Sequence, residues 1–266
     1  MIAVIKWTFW QRRWSTLWWA IGIAAFIFLS LSFYASFRDQ AAQLNQVLDR
    51  LPAAARSLFT GNADFLSPQG FLSARVYYLM LPLLLSFLAI GLGSSLISRE
   101  EETGTLELLL ARPISRTRLL AAKALAGLII TVTVSLTSLV STLVICKLVK
   151  LEIPLGRVVV TTLTCTVLAL VFGALAFAMS ALGRSARLAS VGLSVIVALG
   201  GYIISSLAGA VKWLEWPAKF FPYHYYRPTE TLAGVYVWRD SLLLLGITAI
   251  LLIIAWQGFR GRDLNG

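Results

Sequence analysis

Val158–Gly183 reads VVVTTLTCTVLALVFGALAFAMSALG, 26 residues without a Lys, Arg, Asp or Glu. A helix needs about 20 apolar residues to cross the hydrocarbon of a bilayer. Five more charge-free stretches reach that scale: Trp14–Phe37, Val76–Ser98, Ala124–Cys146, Leu188–Val211 and Ser241–Phe259, of 24, 23, 23, 24 and 19 residues. The six together make 139 of 266 residues. Buried helices of a water-soluble core are shorter and do not recur six times at membrane length, and the alternating segments of a barrel are absent. The sequence predicts an all-α polytopic membrane protein, a single transmembrane domain over residues 1–266. Its six transmembrane helices fall at about 14–37, 76–98, 119–146, 158–183, 188–211 and 239–259.

Composition agrees. Apolar residues make 58%, charged residues 13%, and the mean hydropathy is +0.80. Soluble domains run near 45–50% apolar and about 25% charged, so an ordinary cytosolic enzyme and a disordered tail are excluded. The formal charge of +11 sits in short clusters between apolar runs, which fits a membrane surface better than nucleic acid. Cys146 and Cys165 lie inside apolar runs and form no metal or disulfide framework. A single histidine, His224, excludes a His-rich metal site. The first run is too long for a cleaved signal and lacks a small-residue cleavage site, so it is expected to stay as an anchor. All nine tryptophans fall at the ends of predicted spans, as an aromatic belt requires.

Six spans place both termini on one side. That side carries twelve of the 23 Lys and Arg and the other carries eleven. The twelve are packed more densely, which favours cytoplasmic termini. Trp7, Trp10, Trp14 and Trp18 recur at helical spacing among Lys6, Gln11, Arg12 and Arg13. This predicts a helix lying in the interface with a basic face toward lipid, or else the plain start of the first span. Leu44, Val47, Leu48 and Leu51 predict a short outer amphipathic helix ended by Pro52. Val211–Asp240 is too aromatic for a solvated loop and too broken by prolines for a span. Short outer-face helices are expected there, serving as an exit gate or as a structural belt.

The connection between the second and third spans carries the functional argument. Ser98–Lys123 reads SREEETGTLELLLARPISRTRLLAAK. Gly104 offers a chain reversal, Thr105 caps a new helix, and Glu107 lies in its first turn, where negative charge is favoured. Leu106, Leu109 and Leu110 make one stripe, Pro113 stops the helix, and Ser115 caps the next. The product is a leucine-studded helix of about two turns, suited to a groove on a partner or to contact with lipid.

EEETGTLELLLARPISRTRLLAAK resembles the cytoplasmic signature of permease subunits of type-2 ATP-binding-cassette (ABC) exporters. LSPQGFLSARVYYLMLPLLLSFLAIGLGSSLISRE before it and the FRGRDL tail are similar to that family too. The resemblance implies that the short helix is a coupling helix, within a coupling segment at 99–118, docking on a separate nucleotide-binding ATPase subunit. Carried over residue by residue, Glu101, Gly104, Thr105, Leu106, Glu107, Leu108, Leu109 and Pro113 would form that contact. It also implies a second permease copy or a similar permease, and a cell membrane location, bacterial or archaeal, with this segment cytoplasmic. No G-x-x-x-x-G-K-[ST] phosphate loop occurs. No cofactor is therefore expected on this chain, with ATP and magnesium on the partner subunit, and no enzymatic site of its own.

Gly201, Ser205 and Gly209 repeat every four residues, a stripe that serves dimerisation or packing within one subunit. Thr133, Thr137 and Ser141, with Thr161, Thr162, Thr164 and Thr166, either line a polar path or bond back to their own helices. The charge-free runs argue against an ion-coupled carrier and favour a hydrophobic or amphiphilic cargo. An intramembrane enzyme would need paired catalytic groups that His224 and Asp240 do not supply. An ATP-independent scaffold or carrier remains the other alternative.

Overall fold

The computed structural model describes residues 2–34, 52, 55, 57–58, 67–102, 104, 115–183 and 187–261. The outer amphipathic helix expected near Leu44–Leu51 and the segment from Thr105 to Pro113 lie outside the described residues, as does the tail beyond Gly261. Six helices are long and apolar enough to cross a membrane, and no strand occurs among the described residues. They are α1 (Ile2–Ser32), α3 (Met80–Glu102, reached through the short α2, Pro68–Leu72, and a π-turn at Ser73–Tyr77), α4 (Arg116–Leu148), α5 (Leu155–Leu182), α6 (Arg187–Ala208) and α9 (Trp238–Gly261). Between α6 and α9 come 3-10 turns at Lys212–Leu214 and Pro222–Tyr225 and two short helices, α7 (Glu215–Ala218) and α8 (Pro228–Ala233).

The VVVTTLTC helix, α5, is the axle of the bundle. It packs on α3, α4, α6, α8 and α9, while α1 lies against α4 on the outside. Leu168, Ala169, Phe172 and Ala176 of α5 are fully enclosed with Leu81, Leu85 and Ile90 of α3. By contrast α9 exposes Leu242, Leu245, Ile250 and Ile253, the surface expected where lipid is the solvent. The tightest crossing is glycine on glycine. A Cβ on Gly93 would come within 2.2 Å of the Gly173 carbonyl oxygen, and one on Gly173 within 3.0 Å of the Ala89 Cβ. Close backbone approach of this kind is what holds helices together where lipid removes the hydrophobic incentive to associate.

The separate interfacial helix is corrected. Ile2–Ser32 is one helix of 31 residues, about 46 Å long, because no proline or glycine interrupts it before Gly22. Arg12 does not face lipid. Its Nη2 donates to Ser95 Oγ of α3 at 2.7 Å. Arg13 lies over the Trp10 ring at 4.1 Å, on an exposed strip with Trp7, Trp14 and Trp18.

Candidate functional site: the end of α3 before Gly104

Helix α3 finishes on Arg99, Glu100, Glu101 and Glu102. Carboxylates at a helix C-terminus face the negative end of the macrodipole, which disfavours them. Neighbouring helices supply the compensation. Lys123 of α4, only 3% exposed, forms an ion pair with Glu100, and its Nζ also lies 3.3 Å from Thr8 Oγ1 of α1. Arg187 of α6 pairs with Glu102 at 3.2 Å. One turn back, Ser95 accepts from Arg12, and Ser180 Oγ of α5 donates to the Ser94 carbonyl at 3.0 Å. Polar groups from α1, α4, α5 and α6 thus converge on the last two turns of α3.

The backbone turns immediately afterwards. Gly104 has φ +67°, and its N–H donates to the Glu101 carbonyl at 3.0 Å, closing the helix in the left-handed manner that glycine permits. Ser115, with φ −65° and ψ 144°, caps α4 by accepting from the Arg118 N–H at 3.4 Å. The segment joining these two anchors is therefore tied at one end to a clamped helix and at the other to the helix that carries Lys123.

A family model described as ABC-2 family transporter protein matches residues 2–264. The chain belongs to the ABC-2 transporter family. None of the curated proteins matches it. An ABC-2 permease is the membrane component of ABC transport, and membership implies an ABC ATPase subunit as its partner. In this ABC-2 permease, Glu101 lies half-buried in the last turn of α3 and Gly104 makes the reversal. Thr105, Leu106, Glu107, Leu108, Leu109 and Pro113 lie outside the described residues.

The other sequence-predicted residues fall elsewhere. Thr133 donates to the Ile129 carbonyl and Thr137 to the Val134 carbonyl, both at 2.7 Å, and Ser141 is half-buried on the same helix. Thr161, Thr162, Thr164 and Thr166 likewise bond back to α5 carbonyls. Thr162 in addition shares a hydrogen bond with the Tyr77 hydroxyl at 2.7 Å, and Thr166 one with Ser135 of α4. Gly201 receives the Phe221 ring, which a Cβ would approach to 2.9 Å. Ser205 borders a cavity, and Gly209 is exposed with nothing within 4 Å of a Cβ. Tight packing at Gly201 is therefore within the subunit.

Lys123 and Arg12, counted by charge alone among the cations of the connecting segments, are the two that the fold turns onto α3. A signal for Lys123 existed. It stands two turns inside a helix capped at Ser115, and a cation held within an apolar helix needs a partner. For Arg12 the sequence offers no signal, because its partner is 83 residues away.

Proposed function

We propose that this chain is the permease subunit of an ABC exporter for a hydrophobic or amphiphilic cargo. The Glu101–Pro113 segment docks on a separate nucleotide-binding subunit that holds the ATP and magnesium. Both termini and this segment are cytoplasmic, in the cell membrane of a bacterium or archaeon, and a second permease copy or a similar permease completes the pathway. Convergence on the end of α3 carries the reading. Any displacement of the segment passes through Gly104 into the Glu100–Lys123 and Glu102–Arg187 pairs, and so into α4 and α6 together. The apolar interior, whose hydroxyls bond mostly to their own helices, supports a cargo without a fixed charge-coupling group.

Affinity purification from the native membrane tests it. A phosphate-loop ATPase is expected to co-purify with the wild type and to be lost from the Glu107→Arg/Leu109→Asp double variant, with export of the cargo lost in parallel. Retention of both would refute the proposal.

A further inference from the structure

Between the C-terminal half of α6 and the short helices that follow it lies a cavity of about 530 Å³. Small-molecule sites occupy roughly 300–1,000 Å³. Its bundle-side wall is aromatic. Tyr78 and Tyr202 meet edge to face with ring centroids 6.1 Å apart, and Tyr223 continues the series at 5.6 Å from Tyr202. Ser205 Oγ is buried at this wall without a hydrogen-bond partner among the described residues.

The rim is charged in balance. Arg227 is committed, with Nη1 3.4 Å from Glu230 and Nε 3.6 Å from Asp240. Burial, with Arg227 nearby, lowers the pKa of His224. Glu215 and Lys219 remain. They border the cavity, stand one helical turn apart, and make no salt bridge among the described residues. Beside them Trp216 of α7 and Phe220 just beyond it are 68% and 71% exposed and meet edge to face with ring centroids 5.0 Å apart. Trp213 beside them is 75% exposed. Exposed indoles on a membrane protein mark the headgroup layer. The segment thus borders the cavity with an acidic and a basic residue and carries exposed aromatic rings beside them.

We propose that this cavity binds the zwitterionic headgroup of a phospholipid-type amphiphile, its phosphate on Lys219 and its ammonium between Glu215 and the tyrosine rings. Glu215 and Lys219 border the same cavity one helical turn apart and carry opposite charges, so a headgroup bearing both charges meets an opposite at each. A desolvated cation on a tyrosine face gains further attraction, and the tails leave past Trp216 and Phe220. The proposal deepens the amphiphile reading above, on which it rests only in so far as the bound molecule is cargo. A resident bilayer lipid has the same headgroup chemistry.

Binding tests the site without transport. The purified full chain in detergent is titrated with short-chain phosphatidylcholine and with phosphatidylglycerol of equal chain length, and occupancy is followed by native mass spectrometry. Phosphatidylcholine is expected to bind about tenfold more tightly, the equivalent of one charge-assisted contact. Glu215→Gln removes that preference, Lys219→Gln weakens both lipids about tenfold, and Lys219→Arg keeps wild-type affinity. Equal affinity for the two lipids, a preference that survives Glu215→Gln, loss of binding in Lys219→Arg, or absence of saturable binding would each overturn the site. Bound phosphatidylcholine that exchanges only during ATP turnover is cargo, and one that persists through turnover is resident. Because no ATPase is needed for the titration, its failure leaves the permease reading standing, and failed co-purification leaves this site standing.

Discussion

At its Glu102 end α3 is held by cations from two neighbouring helices, Lys123 on Glu100 and Arg187 on Glu102. At the opposite end, the π-turn Ser73–Tyr77 is held by neutral groups. The Tyr226 hydroxyl donates to the Tyr77 carbonyl at 2.8 Å, the Tyr77 hydroxyl meets Thr162, and Ser73 meets Thr229 at 2.7 Å. Coulombic attraction falls gradually with separation, whereas a hydrogen bond weakens steeply once its geometry is lost. The ion-paired end therefore tolerates small displacements against its neighbours, and the tyrosine end is fixed in position. Between them, the Gly93–Gly173 crossing leaves no room for a side chain, so α3 and α5 touch backbone to backbone.

The sharpest way to break this contrast is Lys123→Ala. It removes the buried cation paired with the Glu100 carboxylate, 14% exposed, at a helix C-terminus and is expected to cost about 3 kcal/mol in chemical denaturation. Lys123→Met with Glu100→Gln removes both charges and is expected to regain most of that loss. A deficit in the double variant as large as in the single one would show that the pair is not what holds this end. Next in size, Gly93→Ala drives a methyl into the Gly173 carbonyl and is expected to cost about 1–3 kcal/mol, read as a lower melting temperature. Gly91→Ala, with nothing within 4 Å, is the control and is expected to be neutral or slightly stabilising.

Smaller effects sharpen the neutral end. Tyr226→Phe removes one buried hydrogen bond to the Tyr77 carbonyl and is expected to cost about 1 kcal/mol. Smallest of all is Arg187→Ala. Arg187 and Glu102 are 44% and 41% exposed, so the loss is expected to stay below about 0.5 kcal/mol and to shrink with added salt. An Arg187→Ala cost equal to that of Lys123→Ala would erase the distinction between the buried and the exposed pair.

Much of this architecture was legible because lipid imposes a compositional rule. Each spanning helix must satisfy its own backbone and cover about 30 Å with apolar side chains. Turn chemistry was legible for a similar local reason. Gly104 takes the left-handed reversal and Ser115 the capping geometry that their residue types favour. The glycine crossing is written in the spacing Ala89–Gly93 and Ala169–Gly173, small residues four apart on two helices, the same spacing as the Gly201 stripe. Gly201 instead accommodates Phe221 of the following segment. The N-terminal tryptophans fit an interfacial helix or the plain start of the first span, because lone periodicity does not distinguish a helix that lies flat from one that continues into a span.

Hydropathy and residue type were enough to read that this chain lives in lipid, how many helices are long enough to cross it, and where the chain turns at Gly104 and Ser115. All of these follow from local hydropathy and local backbone preference. It took the packed bundle to make α5 the axle, to turn Arg12 and Lys123 inward onto α3, and to bring Glu215 and Lys219 to a cavity with a wall of tyrosines. Those facts depend on which helix faces lie against each other. In a chain whose helices are apolar nearly all round, hydropathy does not label the faces, so the choice falls to close packing and to a few polar groups that must find one another.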